Sequence, residues 1–545
     1  MDVPLDRALA ELASAVPELL DRSLYYAARW ASELLLSSGA GVVPGGEAGP
    51  RFDDREAAAV GLAKSFVGLR QHRRAANALT GCTTPLAVFI RAYSRFLAGE
   101  KRKEDEGLEQ GSTSRLVNEE LSGLDAELSD AYSSGALDGF GLYMYGIVLK
   151  SLQRFEQARR ALVESVNVYP WNWSAWKALA SLVTDMSMVR TLELREHWML
   201  YFFRVEVGIE LHDGESAMAA INVVKPCFPQ SLYILSQTAM VHYNERDFDA
   251  AQEIFEEIRE TDPDRLDQMD TYSNILFVKE SKGALSYLAH NAVQSEKYCP
   301  ETCCIIGNYY SLKCEHEKAV LYFQRALKLN PQYLSAWTLM GHEYIELHNT
   351  AAAISAYRQA VDINPKDYRA WYGLGQAYEL LQMHTYSLYY FGKAVHVRPF
   401  DPRMWCALAN SYERLEMIDD AIRCCKRAES CNDREGIALY KLAKLYVAKN
   451  DMKKAAHFYG KVVERHDAQS GENAETAEII DALMFLAQYY KDCAAFTEAE
   501  ACCARLLHTT GADDARAMQK ELHQLRLKRD FSPREQQDYD MSMSP

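Results

Sequence analysis

PQYLSAWTLMGHEYIELHNTAAAISAYRQAVDINP (Pro331–Pro365) is followed directly by KDYRAWYGLGQAYELLQMHTYSLYYFGKAVHVRP (Lys366–Pro399). Set one under the other, Trp337, Gly341, Tyr344, Tyr357, Ala360 and Pro365 recur 34 residues later as Trp371, Gly375, Tyr378, Phe391, Ala394 and Pro399. A repeat of this length is one supersecondary unit that cannot bury its own apolar face, so neighbours must stack. Counting outward from a start at Leu334 places further starts at Leu232, Leu266, Pro300, Tyr368, Pro402 and Gly436, with an earlier one at Trp198 or one residue later. Another repeat starts at Gly139, and its neighbour at Trp173 loses register near residues 185–196. A last one, at Ile480, follows a ten-residue insertion near 467–476.

Each recurring position has a physical reason. Positions 4, 7, 8 and 11 share one face of a first helix, and positions 20, 24 and 27 share the facing side of a second. Glycine inside a helix costs about 1 kcal/mol relative to alanine. Gly146, Gly307, Gly341 and Gly375 at position 8 are therefore assigned to close helix approach, with small Ala319, Ala353, Ala421 and Ala455 at position 20 expected to answer them. Proline at position 32 stops the second helix. This is the pattern of the tetratricopeptide repeat, and it predicts an all-α superhelix, an α-solenoid of antiparallel helix pairs with a groove lined by the first helices. The expected organisation is an N-terminal helical, repeat-like region over 1–138 with a flexible loop at 37–54, an array of about ten repeats over 139–513, and a disordered tail over 514–545. That tail carries Ser532-Pro533 and Ser544-Pro545, minimal proline-directed phosphorylation sites.

A net charge of -16 over 545 residues argues against a nucleic-acid or anionic-membrane surface. The opening MDVPLDRALAELASAVPELL sets Asp2, Asp6 and Glu11 among apolar residues, so no secretory signal is expected and the chain reads as intracellular. The 13 cysteines then read as reduced thiols, and no C-x-x-C is present. Cys303 at position 4, with Cys425 and Cys503 at position 24, should be buried core side chains. His342 and His348 do not make H-E-x-x-H, and GVVPGGEAGP lacks the G-K-[ST] of a phosphate cradle. The reading is of a chain that is not an enzyme and needs no cofactor or metal.

Function should then lie in the groove. Positions 2, 5, 9 and 12 of the first helices are expected to line it, supplying Asn308, Ser311, Thr338, His342, Arg369, Tyr372, Gln376, Glu379, Asn410 and Glu413, with Glu343 and Glu346 beside them. Amide oxygens and carboxylates accept from a guanidinium fork, so this mixture suits an extended peptide carrying arginine. A chaperone-type clamp on a peptide C-terminus is the alternative adaptor reading. It wants lysine at position 5 with asparagine at position 9, whereas Asn308 and Asn410 are paired with Cys304 and Cys406.

Several segments carry more than the repeat pattern: IRAYSRFLAGEKRK (Ile90–Lys103), LDGFGLYMYGIVLK (Leu137–Lys150), CCIIGNYYSLKCEHEKAVLYFQRALKLNP (Cys303–Pro331) and YRAWYGLGQAYELL (Tyr368–Leu381). Together they resemble the subunit eight family of the anaphase-promoting complex, also called the cell-division-cycle protein 23 family, over roughly residues 5–510. The resemblance implies a non-catalytic scaffold of a mitotic ubiquitin ligase, present in nucleus and cytoplasm. It also implies a homodimer through the N-terminal repeats, contacts with other subunits of the complex, and a groove that receives an arginine-containing coactivator motif. A sister repeat subunit of the same complex is the alternative identity, one not expected to share YSRFLAGEKRK.

Overall fold

A computed structural model of the chain describes residues 5–37, 54–110, 117–431, 433, 436–469, 477–507 and 512–526. The described residues are α-helical with connecting turns. They divide into an N-terminal module, Met1–Ala284, and a C-terminal module, Leu285–Pro545. Four first helices of the C-terminal module, Pro300–Leu312, Leu334–Glu346, Tyr368–Leu380 and Pro402–Arg414, begin on the residues that the 34-residue spacing predicts. Each packs antiparallel on the helix after it: His316–Leu329, Thr350–Ile363, His384–Val397 and Ile418–Ser430. The repeat that loses register is shortened, to Trp173–Ala180 and Met186–Thr191.

Two devices recur along the array. Between the paired helices, the residue at position 15 takes a left-handed backbone conformation: His212, Arg246, Glu280, Cys314, His348, Gln382, Glu416 and Asn450, each 34 residues after the last. The N–H of the next residue then donates to a carbonyl five back, as from Glu315 to Tyr310 (3.0 Å) and from Asn349 to Tyr344 (2.8 Å). This is the Schellman closure, which satisfies carbonyls that the helix end leaves open. His212 fixes the repeat before Leu232 at Trp198. Between repeats, the tryptophan at position 4 donates its indole N–H to the carbonyl of the proline six residues earlier: Trp176 to Pro170 (2.6 Å), Trp337 to Pro331 (2.9 Å), Trp371 to Pro365 (2.8 Å) and Trp405 to Pro399 (2.7 Å).

The glycine at position 8 is answered differently from the expectation. A Cβ on Gly307, Gly341 or Gly375 would sit 2.4–2.5 Å from the ring of Phe323, Tyr357 or Phe391, the residue at position 24. The missing side chain makes room for the residue at position 24, an aromatic ring in these three repeats and Leu162 opposite Gly146, not for the alanine at position 20. Ala319, Ala353, Ala421 and Ala455 are fully buried all the same. Cys303, Cys425 and Cys503 are buried, as their positions demand.

Helices Leu5–Asp21 and Tyr25–Ser37 form a hairpin with the same closure, Leu24 N–H to Leu19 O (3.0 Å). This hairpin packs on repeats far along the sequence. Trp30 stacks on Trp173 at 4.8 Å and meets the edges of Phe202 and Tyr233. The Glu11 carboxylate accepts from the indoles of Trp171 (3.2 Å) and Trp198 (2.9 Å), and Arg29 pairs with Asp267. YSRFLAGEKRK lies on a 26-residue helix, Pro85–Gln110.

At the other end, residues 512–526 are helical, with Ala515 and Leu522 buried against the last repeat. Residues 514–526, expected to belong to a disordered tail, are therefore helical; 527–545 lie outside the described residues. Ala515, Met518 and Leu522 lie three and four residues apart on one helix face and give the segment an apolar side to bury. The loop expected at 37–54 falls on 38–53 and the insertion on 470–476, outside the described residues, as do Ser532 and Ser544.

Candidate peptide-binding face

The twelve candidate residues divide by burial. Asn308, Ser311, Thr338 and Glu343 are buried; His342, Arg369, Tyr372, Gln376, Glu379 and Asn410 are half-buried; Glu346 and Glu413 are exposed. A one-repeat pattern cannot anticipate this split, because the next repeat in the stack covers part of each first helix.

The buried members hold repeats together. Glu343 reaches back one repeat: one oxygen accepts from the Ser311 hydroxyl (2.7 Å) and the other lies 2.8 Å from His316 Nδ1. Both oxygens of this carboxylate have partners inside the protein. Thr338 reaches forward and donates to Asp367 (3.4 Å). Asp367 caps the next first helix at the Arg369 N–H (3.1 Å) and accepts from the Arg369 side chain (3.0 Å). Asp401 and Arg403 repeat this arrangement one unit on, at 3.0 and 3.2 Å. Burial opposes ionisation of Asp401, but hydrogen bonds from Arg403 and the charges of Arg403 and Arg398 hold its carboxyl below the usual range. The D-x-R spacing at 367–369 and 401–403 was legible in the sequence and was missed there.

Half-buried members show more of themselves. His342 Nδ1 lies 2.7 Å from the Tyr357 hydroxyl, and the Tyr357 ring fits between Gly341 and Gly373. Burial, helped by the charge of Arg369 and opposed by Asp367, pulls the His342 imidazole down from 6.5 to about 4. An unfolded chain takes up this proton near 6.5 and the folded chain only near 4, so the stability it contributes is complete above 6.5 and falls away as pH drops through 4. His342→Gln should flatten the pH dependence of the urea midpoint over that window by about 2 kcal/mol, the full shift being discounted for partial exposure. Equal slopes in the two proteins would rule the assignment out.

Asn410 accepts from Lys441 (2.9 Å). Burial raises the Tyr372 hydroxyl. Glu346, Glu379 and Glu413 differ from Glu343, Asp367 and Asp401, since among the described residues their side chains make no hydrogen bond and no ion pair within 4 Å. Glu379 and Glu413 occupy the same position in consecutive repeats, 34 residues apart, on first helices that also carry Tyr372, Gln376 and Asn410. Unspent carboxylates beside an aromatic ring and amides can receive a guanidinium. Among the described residues no group of three or more His, Cys, Asp or Glu side chains could hold a metal ion, and no helix is long and apolar enough to cross a membrane.

Comparison with known proteins adds a family. Residues 46–239 match the family model described as anaphase promoting complex subunit 8 / Cdc23, and tetratricopeptide models match 300–333, 341–382, 402–432 and 437–467. Anaphase-promoting complex subunit 8 of Arabidopsis thaliana is 48% identical, covering 93% of this chain and 94% of that one. Its counterpart in Dictyostelium discoideum is 44% identical over 94% and 97%. The human cell division cycle protein 23 homologue is 44% identical over 50% of this chain and 47% of its own. Among solved structures, the crystal structure of the APC/C hetero-tetramer Cut9-Hcn1 covers 93% of this chain and 95% of that one, with a TM-score of 0.56; at 16% identity it shares the fold.

Proposed function

Because the chain belongs to the subunit 8/Cdc23 family of the anaphase-promoting complex and is a tetratricopeptide scaffold of that complex, we propose that the first-helix face of its C-terminal module receives an arginine-containing coactivator motif. The observation that carries this reading is the pair Glu379 and Glu413, without ion pairs at equivalent positions of adjacent repeats, with Glu346 one repeat before them. Asn308, Ser311, Thr338 and Glu343 then shape the face from beneath it.

The rest of the proposal follows from the family. The chain self-associates through residues 1–138, holds neighbouring subunits of the ligase, works in nucleus and cytoplasm, and leaves ubiquitin transfer to other subunits. Holding a coactivator and a catalytic centre in one assembly raises the local concentration of substrate without new chemistry. A labelled arginine-containing peptide titrated into the full chain tests the site. Glu379→Gln with Glu413→Gln should weaken it by roughly 10- to 100-fold, as expected for charge-assisted bonds of about 1.5–3 kcal/mol, with the melting temperature unmoved. An unchanged Kd would remove these two residues from the site.

A further inference from the structure

In a chain of net charge -16, residues 57–99 contain six Lys and Arg and no Asp or Glu, and Lys101, Arg102 and Lys103 follow at once. Most of these cations are spent inside the fold. Lys64 pairs with Asp21 (2.8 Å), Arg91 with Glu127 (2.5 Å), and Arg95 with Glu120 (3.1 Å) and Glu127 (3.0 Å). Arg102 pairs with Glu106 (3.0 Å) and Glu119 (2.7 Å), and Lys103 with Glu100 (3.8 Å). Arg70, Arg73 and Lys101 are exposed and have no ion pair among the described residues.

These three belong to one surface. His72, besides being desolvated, feels the charges of Lys101 and Arg70. Arg73 lines, with Arg102 and Lys103, a shallow pocket open to solvent beside Gly99 and Val117. The acids on its wall are already engaged, Glu106 and Glu119 by Arg102 and Glu120 by Arg95. The pocket wall is held in place. Asn118, buried, donates to the Phe96 carbonyl (3.2 Å) and to Glu100 (2.9 Å) and accepts from the Glu120 N–H (3.0 Å). Its Oδ1 lies 1.8 Å from where a Cβ on Gly99 would stand, so only glycine fits there. The glycine of YSRFLAGEKRK thus clamps residues 117–120 against the basic end of the helix. Two apolar side chains, Leu69 and Val117, stand exposed beside the cations, at 66% and 71%.

We propose that this surface docks an acidic segment of a protein partner, its Asp and Glu side chains meeting Arg70, Arg73 and Lys101 and one apolar residue resting on Leu69 or Val117. Charge complementarity selects this occupant. A polynucleotide fits worse: its evenly spaced phosphates would have to pass Glu106, Glu119 and Glu120, whereas a peptide can space its carboxylates around them.

The test is fluorescence anisotropy of a short labelled Asp/Glu-rich peptide containing one leucine, titrated into the full chain at physiological salt. Arg73→Glu with Lys101→Glu should weaken binding at least roughly tenfold, and the milder Arg73→Ala with Lys101→Ala should weaken it in the same direction if the reversal perturbs folding. The reversal Lys328→Glu with Lys393→Glu, on helices of the C-terminal module, changes the net charge equally and should leave binding unaltered. Equal loss in that control, no loss in the Arg73 and Lys101 variants, no binding by the parent chain, or tighter binding of a single-stranded RNA of matched length would each overturn the proposal.

Discussion

Trp173→Ala is expected to lower the stability of the N-terminal module by about 3–5 kcal/mol. Trp173 is fully buried, stacks on Trp30 at 4.8 Å with an interplanar angle of 13°, and meets the edges of Tyr233 at 6.0 Å and Phe202 at 6.4 Å. Its removal leaves a cavity where the first hairpin meets the repeats and also loses ring-on-ring contacts worth about 0.5–1.5 kcal/mol beyond burial. The indole nitrogens of Trp173 and Trp30 are buried without a hydrogen bond among the described residues, so the tryptophan acts here by packing alone. Trp173→Phe should therefore restore much of what alanine loses. Urea unfolding together with limited proteolysis at residues 5–37 reads the effect; a Trp173→Ala chain with the parent's midpoint and the parent's protease resistance would contradict the packing described.

The second large effect concerns Glu343. Replacing it with alanine strips the buried Ser311 hydroxyl and the His316 ring of their shared partner, at a cost of about 3 kcal/mol. Glu343→Gln keeps an acceptor for Ser311 and should fall between the two. Ser311→Ala combined with Glu343→Ala should cost less than the sum, because the two changes remove one contact twice. The contrast with Glu379 and Glu413 gives this test its use. Alanine at Glu343 should move the melting temperature, whereas glutamine at Glu379 and Glu413 should move peptide affinity. If Glu343→Ala melted with the parent, the bond between repeats at this position would be dispensable.

How far the residues announced this arrangement depends on how local each signal is. Trp337, Gly341 and Pro365 each act within about one repeat, and the spacing they set placed four first helices to the residue. The turn at position 15 left no such mark. Its left-handed residues are His, Arg, Glu, Cys, Gln and Asn, not the glycine that usually advertises the conformation. Burial of Thr338 and Glu343 was invisible for another reason: their partners, Asp367 and Ser311, belong to neighbouring repeats, and a helical face counted one repeat at a time does not include them. Glycine at position 8 called for a small neighbour or a large one across the hairpin, and only the packing of Tyr357 and Phe391 decides between the two. The amphipathic face at Ala515, Met518 and Leu522 was legible but sat in a segment whose charge suggested a tail. Docking of the first hairpin on Trp173 rests on contacts so distant in sequence that no pattern encodes them.

That docking has a consequence in time. Arg29 and its partner Asp267 are 238 residues apart, so a ribosome adding about 5–20 residues per second finishes the hairpin roughly 10 to 50 seconds before it supplies the last part of the surface that covers it. For roughly the first 7 to 30 seconds of it, until Trp173 is made 143 residues after Trp30, the ring of Trp30 has none of its aromatic neighbours to hide against. Newly made chains must either be shielded by a chaperone or collide with one another through that face, and slowing translation between residues 37 and 173 should lower the yield of folded protein more than slowing it after 267.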